Sequence, residues 1–525
     1  MLEDLRKGAE AEVVTDICIV GAGAAGIALA NEFVGTGTRV LLLESGGDQF
    51  DANADSLSIG ESVGVPFSGL QLGRFRGFGG ATRLWYGQCV HLDPIDVEHR
   101  SWVAGSDWPI NLDLLAPYYE RAEQFFGLSG HESYDERIWR RFRVADPNLD
   151  HELIRARFAI LSPQPDISKT YRRTLAKARN VTIALYGHAL RLHLSQDRSR
   201  IDRIDVAVIG KAPIVVRATS FILCNGGIES ARLLLLSNTE DSRGVGNEYD
   251  NVGRYYQDHP NAIVAAVQSE RAPVLQDMFA MLYRDGKRYF PKMRLAPEVQ
   301  RKKIVLNAVA HLVFQYDERA YNSLRAFWRA AHLRRLPQDA PARALDVIKG
   351  PGQAASILYR RYVRGRSPNF TPQRIFLHAH IEQAPNRDSR VQLADTIDAF
   401  GQRRARLDWR LGDIEHRTFG AITCAIGEEF ARLGLGTLEP EPWLHKVGHD
   451  WTSKVSDAYH YIGATRMSSQ PQAGVVDRNL QVHSLGNLYI CSSSVFPTSG
   501  YANPTLTIVT LAFRLADFLK KRSNA

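Results

Sequence analysis

Two side chains near the C-terminus are of types that could carry chemistry. His460 lies in Tyr459-His460-Tyr461-Ile462-Gly463-Ala464-Thr465-Arg466-Met467, and Asn503 lies in Ser499-Gly500-Tyr501-Ala502-Asn503-Pro504. Taking two hydrogens from an alcohol means accepting the hydroxyl proton and moving the carbon-bound hydrogen as hydride. A neutral imidazole suits the first task because its reference pKa lies near physiological pH. His460 is therefore the candidate base, and the Asn503 amide is suited to donate to the substrate oxygen. Any of the sixteen histidines taken alone is more often a satisfied core or surface residue, and the surrounding motif is what singles out His460. Asn503, followed by Pro504 and the apolar run Leu506 to Leu519, also reads as a helix N-cap with Pro at the first helical position. The two roles are compatible, since that helix would direct its positive end toward a ring gaining negative charge.

A hydride needs an acceptor, and the N-terminus offers a place to hold one. Thr15 to Val20 reads as an apolar strand running into Gly21-Ala22-Gly23-Ala24-Ala25-Gly26; Ala24 to Phe33 reads as a helix and Arg39 to Glu44 as a second strand. In such a βαβ unit Gly21 permits the tight turn, Gly23 lets the backbone approach a pyrophosphate, and Gly26 lets helix and strand pack closely. Ala24 and Ala25 open the helix whose amides face the phosphates. Glu44 ends the second strand, placed to accept hydrogen bonds from a ribose diol. Strand, helix and terminal acid at these offsets point to an ADP moiety.

The elements that must position these groups follow in order. Short strands are expected at Val181 to Tyr186, Ala189 to Leu194, Ile204 to Ile209, Ile214 to Ala218 and Ser220 to Asn225, with a helix from Ile228 to Ser237 after Gly226-Gly227. Between Glu270 and Phe370, aromatics and arginines mix along expected helices at Ala320 to Leu333, Ala342 to Lys349 and Gln353 to Val363, read as surface helices or a cap over a substrate site. Further strands are expected at Arg374 to Gln383, Arg390 to Leu393 and Arg404 to Trp409. Glu382 and Gln383 would face either substrate hydroxyls or solvent.

The 525 residues are too many for one ordinary core and imply two domains or one large domain with insertions. No apolar run is long enough to span a bilayer, and Met1 to Glu12 carries no signal-peptide core, so a cytoplasmic location is expected. The five cysteines, Cys18, Cys89, Cys224, Cys424 and Cys491, form no C-x-x-C pair and read as reduced thiols, with no metal expected. The net charge of +8 is concentrated between Lys287 and Arg366, in clusters such as Arg301-Lys302-Lys303 and Arg334-Arg335, without a nucleic-acid motif. It reads first as a solvated surface, with acidic partners or a membrane surface as the alternatives, and no nucleic-acid partner is expected.

These segments together resemble the glucose-methanol-choline (GMC) family of flavoprotein oxidoreductases. The resemblance rests on the Gly loop, Arg76-Gly77-Phe78-Gly79-Gly80-Ala81-Thr82, Asn225-Gly226-Gly227-Ile228-Glu229-Ser230-Ala231-Arg232, Val252-Gly253-Arg254 to His259-Pro260, and the tail. It implies FAD as cofactor, with His460 and Asn503 facing the flavin. It further implies cofactor contacts at Gly79, Gly80, Thr82, Ala189, Asn225, Pro504 and Thr505. The His-Asn pairing, the compact spacing and the Gly79 to Gly87 segment look closest to pyranose and glycoside oxidoreductases. Several sugar-oxidising relatives tether FAD through a His before the Trp of the Gly-Gly segment, whereas Leu84 precedes Trp85 here, which implies non-covalent FAD. The family also tends to place an acid where this tail has Ser492.

The expected fold class is α/β: a discontinuous, Rossmann-like FAD-binding domain over 12–255 and 445–525, and a second, α+β substrate-binding domain with a helical cap over 256–444. The expected activity is oxidation of a secondary alcohol, a sugar or glycoside hydroxyl, to a ketone, with oxygen or a quinone-like carrier taking the electrons. A sterol or polyol substrate, or a lyase that uses FAD structurally, are the alternatives.

Overall fold

The computed structural model describes every residue except 9, 130–132, 317–321, 325, 328–336, 338, 350, 446–450 and 524–525. The expected α/β fold is present. The first sheet grows from the run Val40–Glu44, whose five residues are all buried, as a strand covered on both faces requires. Its order is Leu2–Asp4, Val181–Leu185, Val40–Glu44, Glu12–Val20, Ile214–Leu223, Ile201–Ala207 and His188–Leu194, with Leu488–Ile490 added beside Ile214–Leu223. The two strands expected at 214–218 and 220–225 are one, Ile214–Leu223, because it stays paired in parallel with Glu12–Val20 along its length. Helix Ala24–Glu32 packs against the C-terminal helix Thr505–Ser523, which also contacts Leu112–Phe125.

The second sheet is antiparallel, ordered Thr437–Pro440, Asn261–Gln268, Arg374–Ile381, Ala308–Gln315, Lys287–Leu295, Ile154–Leu161 and Gln88–Cys89, with Leu282–Arg284 paired to Lys287–Leu295. Helix Asp413–Arg432 packs on this sheet. Strand Arg374–Ile381 shows the geometry plainly: Ile375, Leu377, Ala379 and Ile381 are buried, while Phe376, His378 and His380 alternate with them on the other face. A small third sheet joins Glu61–Gly64 to the hairpin Arg390–Ile397 and Arg403–Trp409.

Two features depart from the sequence reading. Lys287–Leu295 and Ala308–Gln315 are strands in a stretch where the sequence reading placed no element, because long-range pairing outweighs their mixed charged and aromatic composition. Ile154–Leu161 and Gln88–Cys89, within the expected 12–255 segment, belong to the second sheet, so the two sheets interleave along the chain. Helices Ala340–Lys349 and Pro351–Tyr362 lie where two of the three were expected, with Pro351 opening the second. The helix expected at 320–333 falls largely outside the described residues. Arg301, Lys302 and Lys303 are exposed at the end of helix Pro297–Lys303, as a solvated cluster should be, and Arg334-Arg335 lies outside the described residues. All five thiols are free, four of them buried, and Cys424 is exposed. Among the described residues no helix is long and apolar enough to cross a membrane.

Candidate active site

A cavity of about 690 Å³ runs from the Gly loop to one face of the inner strands of the second sheet. At the loop, Gly21 has φ +103°, and a Cβ there would meet Cys224 O at 2.7 Å; at Gly26 one would come within 1.9 Å of Gly21 O. These two positions therefore admit only glycine, for the turn and for the close helix–strand approach. A Cβ built on Gly23 meets nothing within 4 Å, which leaves that backbone open to a ligand. Gly79 N donates to Ala22 O at 2.9 Å and brings the 77–83 segment over the loop.

Of the expected cofactor contacts, Gly21, Gly23, Ala24, Ala25, Glu44, Gly80, Thr82, Ala189, Asn225, Pro504 and Thr505 line the cavity. Gly26 and Gly79 do not; they pack behind the wall. Glu44 Oε2 accepts from Ala22 N and Oε1 from Gly46 N, both at 2.9 Å; Ser45 Oγ also donates to Oε1 at 3.4 Å, which leaves a second acceptor position on Oε2. Beside it Glu229 is gripped by Arg74 at 2.6 Å, Arg76 at 3.1 Å and Arg232 at 3.2 Å, and Arg232 also reaches Asp398 at 2.6 Å. Burial opposes ionisation of Glu229, but Arg76, Arg232 and Arg74 outweigh it and hold the carboxyl well below its usual range.

At the other end, His460 and Asn503 meet as expected: Asn503 Nδ2 donates to His460 Nε2 at 3.2 Å. His460 Nδ1 lies 2.7 Å from His259 Nδ1, and His259 Nε2 lies 3.3 Å from Ser499 O. Because the amide can only donate through nitrogen, Nε2 of His460 is the acceptor and its proton sits on Nδ1. One direction then satisfies the whole chain: His460 donates to His259, and His259 donates to the carbonyl of Ser499. Burial, with His259 and Lys292 nearby, holds His460 well below the usual imidazole range, so it is neutral at physiological pH.

The backbone around His460 is held against its preference. Tyr459 and Tyr461 have φ of +63° and +27°, left-handed values that are costly outside glycine. Asp258 accepts from the amides of His259, Ala458 and His460, while Tyr461 Oη donates to Gly69 O at 2.8 Å and Ser493 Oγ to Tyr461 O at 2.8 Å. Burial and neighbouring Asp457 push the Asp258 carboxyl up to about 8.

Asn503 does not act as the expected side-chain cap. The helix starts at Thr505, its first turn is closed by Ile508 N donating to Pro504 O at 2.9 Å, and the Asn503 amide is turned to His460 instead. Glu382 and Gln383 face neither substrate nor solvent. They lie just past strand Arg374–Ile381, fully buried and off the cavity wall; Glu382 pairs with Arg100, and Gln383 accepts from Trp409 Nε1 at 2.8 Å and Asp258 N at 2.9 Å. None of the described residues of helices Ala340–Lys349 and Pro351–Tyr362 lines the cavity.

Sequence reasoning missed a group on the wall opposite the loop. Asn261, Phe290, Lys292, His311, His378 and His380 project from four neighbouring strands into the cavity. The signal was present in Arg374-Ile375-Phe376-Leu377-His378-Ala379-His380-Ile381, where alternation puts both histidines on the face opposite the core. His259 was visible only as part of a motif, since nothing local announces its contact with a residue 201 positions away.

Residues 385–512 match the family model described as GMC oxidoreductase. Over most of its length the chain is similar to the fructose dehydrogenase large subunit of Gluconobacter japonicus, 22% identical across 96% of this chain and 97% of that protein. It is also similar to the paromamine 6'-oxidase of Streptomyces fradiae, 25% identical across 96% of this chain and 91% of that one. A crystal structure of formate oxidase superposes with a TM-score of 0.59, at 17% identity, over 98% of this chain and 99% of the other.

Proposed function

We propose, from the premise that this chain belongs to the GMC oxidoreductases and acts on alcohol groups, that it binds FAD without a covalent link and oxidises a secondary hydroxyl of a sugar or glycoside to a ketone. The observation that carries this reading is the pairing of His460 Nε2 with the Asn503 amide, on a cavity continuous with the Gly loop. Fructose dehydrogenase and paromamine 6'-oxidase support a polyhydroxylated substrate.

The residues present fit FAD. The open face of Gly23, the amides of Ala24 and Ala25, and the spare acceptor position on Glu44 Oε2 suit a pyrophosphate and a ribose, and Thr505 opens the helix at the far end. Bound there, FAD supplies the hydride acceptor. His460, neutral and with its lone pair on Nε2, takes the hydroxyl proton; Asn503 redirects its N–H hydrogen bond from His460 to the substrate oxygen, keeps its own proton, and so orients the hydroxyl-bearing carbon. His259 keeps the acceptor nitrogen of His460 facing the substrate. The imidazolium formed retains its Nδ1–H bond to His259.

Anaerobic mixing with a panel of sugars, glycosides, sterols and polyols tests the reading. Loss of the long-wavelength flavin absorbance with a sugar or glycoside is expected; bleaching only by sterols or polyols overturns the substrate class, and no bleaching by any of them overturns oxidation. The non-covalent link rests on Leu84, which lines the cavity where a tethering His would stand. Acid precipitation should leave the yellow colour in the supernatant, and a yellow pellet would show a covalent bond.

A further inference from the structure

We infer that the substrate carries an anionic group, a carboxylate or phosphate ester, held between Lys292 and the imidazoles of His311, His378 and His380 while its hydroxyl lies at His460. This deepens the alcohol-oxidation reading and rests on it for the reaction, but not for the binding.

Three strands build the pocket. Lys292 projects from Lys287–Leu295, His311 from Ala308–Gln315, and His378 and His380 from Arg374–Ile381, where His311 pairs directly across from His378. The three rings lie 4.8–5.6 Å apart, centroid to centroid, and one nitrogen from each falls within 4.8 Å of the other two. Lys292 is 5% exposed. Among the described residues no carboxylate pairs with it, and the Phe290 ring lies 5.5 Å from Nζ. The Nδ1 atoms of His311 and His378 are likewise buried without a hydrogen-bond partner.

A buried ammonium without a counter-ion is costly, and natural sites keep one where a ligand completes it. The carboxylates on the cavity wall do not supply that partner. Glu44 is bound to the loop amides, Glu229 to three arginines, and Asp457 to Ser68 and Gly69. Three neutral imidazoles this close also resemble a metal site, but a divalent ion there would stand beside the Lys292 ammonium, whose repulsion adds to burial in holding all three rings below the usual imidazole range. An anion gains from the same charge, accepting from Nζ and from the ring N–H groups. Lys292 and His460 line the same cavity, so an anion held by the ammonium lies in the space that opens to the reacting end.

Binding can be read without turnover. The FAD-loaded protein is titrated with sodium acetate, inorganic phosphate and zinc chloride in separate arms, with calorimetry and the flavin visible spectrum as readouts. Saturable binding of acetate or phosphate is expected, the stronger arm naming the carboxylate or the phosphate ester. Lys292→Met should weaken that binding at least tenfold at unchanged FAD content, and Lys292→Arg should restore most of it. Absence of saturable anion binding, or equal affinity in Lys292→Met, overturns the inference. So does stoichiometric zinc binding that His378→Gln abolishes, which would make the cluster a metal site. Each of these failures leaves anaerobic flavin bleaching by neutral sugars untouched, so the two readings fall separately.

Discussion

The two ends of the cavity are built on opposite principles. Around the Gly loop every charge has a protein partner: Glu44 is bonded to two backbone amides, and Glu229 to three arginines. On the second sheet Lys292 and two imidazole nitrogens are buried without one. A cofactor that stays bound calls for a wall already stable in itself, whereas a substrate that must leave can be drawn in by groups the fold leaves unsatisfied.

Substitutions at each end sharpen that contrast. The largest effect is expected at the reacting group: His460→Ala should slow anaerobic flavin reduction by roughly 10²- to 10⁴-fold with FAD retained. Reduction at the wild-type rate would place the proton acceptor elsewhere. At the paired end, Glu229→Gln removes the shared partner of three buried arginines and should cost about 3–5 kcal/mol of stability, read by denaturant unfolding of the FAD-loaded protein. A loss under 1 kcal/mol would mean that water already screens the cluster.

At the unpaired end the sign reverses. Burial lowers the Lys292 ammonium to about 8, below its unfolded value, so its favourable contribution is present above about pH 10.5 and is lost as pH falls to about 8. Without an anion, Lys292→Met should therefore stabilise the FAD-loaded protein at pH 7, by up to about 3 kcal/mol, with the gain shrinking toward pH 10.5. Destabilisation at pH 7 would break the contrast between the two ends. The smallest effect is expected from Asn503→Ala. It should slow reduction but leave melting nearly unchanged, since the helix start is closed by Pro504 O rather than by the Asn503 side chain; a drop of ~1 kcal/mol would restore the capping role.

The same contrast explains what could be read from the sequence. The loop, Glu44 and the strands beside it are encoded within some thirty consecutive residues, so spacing alone locates them. His460 and Asn503 were legible through the motifs around them. The second-sheet wall draws Asn261, Lys292, His311 and His378 from segments whose adjacency exists only after pairing, and a lysine between Pro291 and Met293 reads locally as surface charge. Glu382 and Gln383 misled for the reverse reason: polar side chains at a strand end suggested a ligand, while Arg100 and Trp409, distant in sequence, were waiting to satisfy them.

The interleaved sheets bear on how the protein is made. Ile214–Leu223 completes its edge only with Leu488–Ile490, and Ile154–Leu161 joins a sheet whose last strand is Thr437–Pro440. At a synthesis rate of about 5–20 residues per second, the early strands of both sheets wait roughly 10–60 s for their partners to leave the ribosome. Within that interval the strands Ile214–Leu223 and Ile154–Leu161 present unpaired edges until Leu488–Ile490 and Lys287–Leu295 emerge, so those two apolar runs are the points where the nascent chain is most open to wrong pairing.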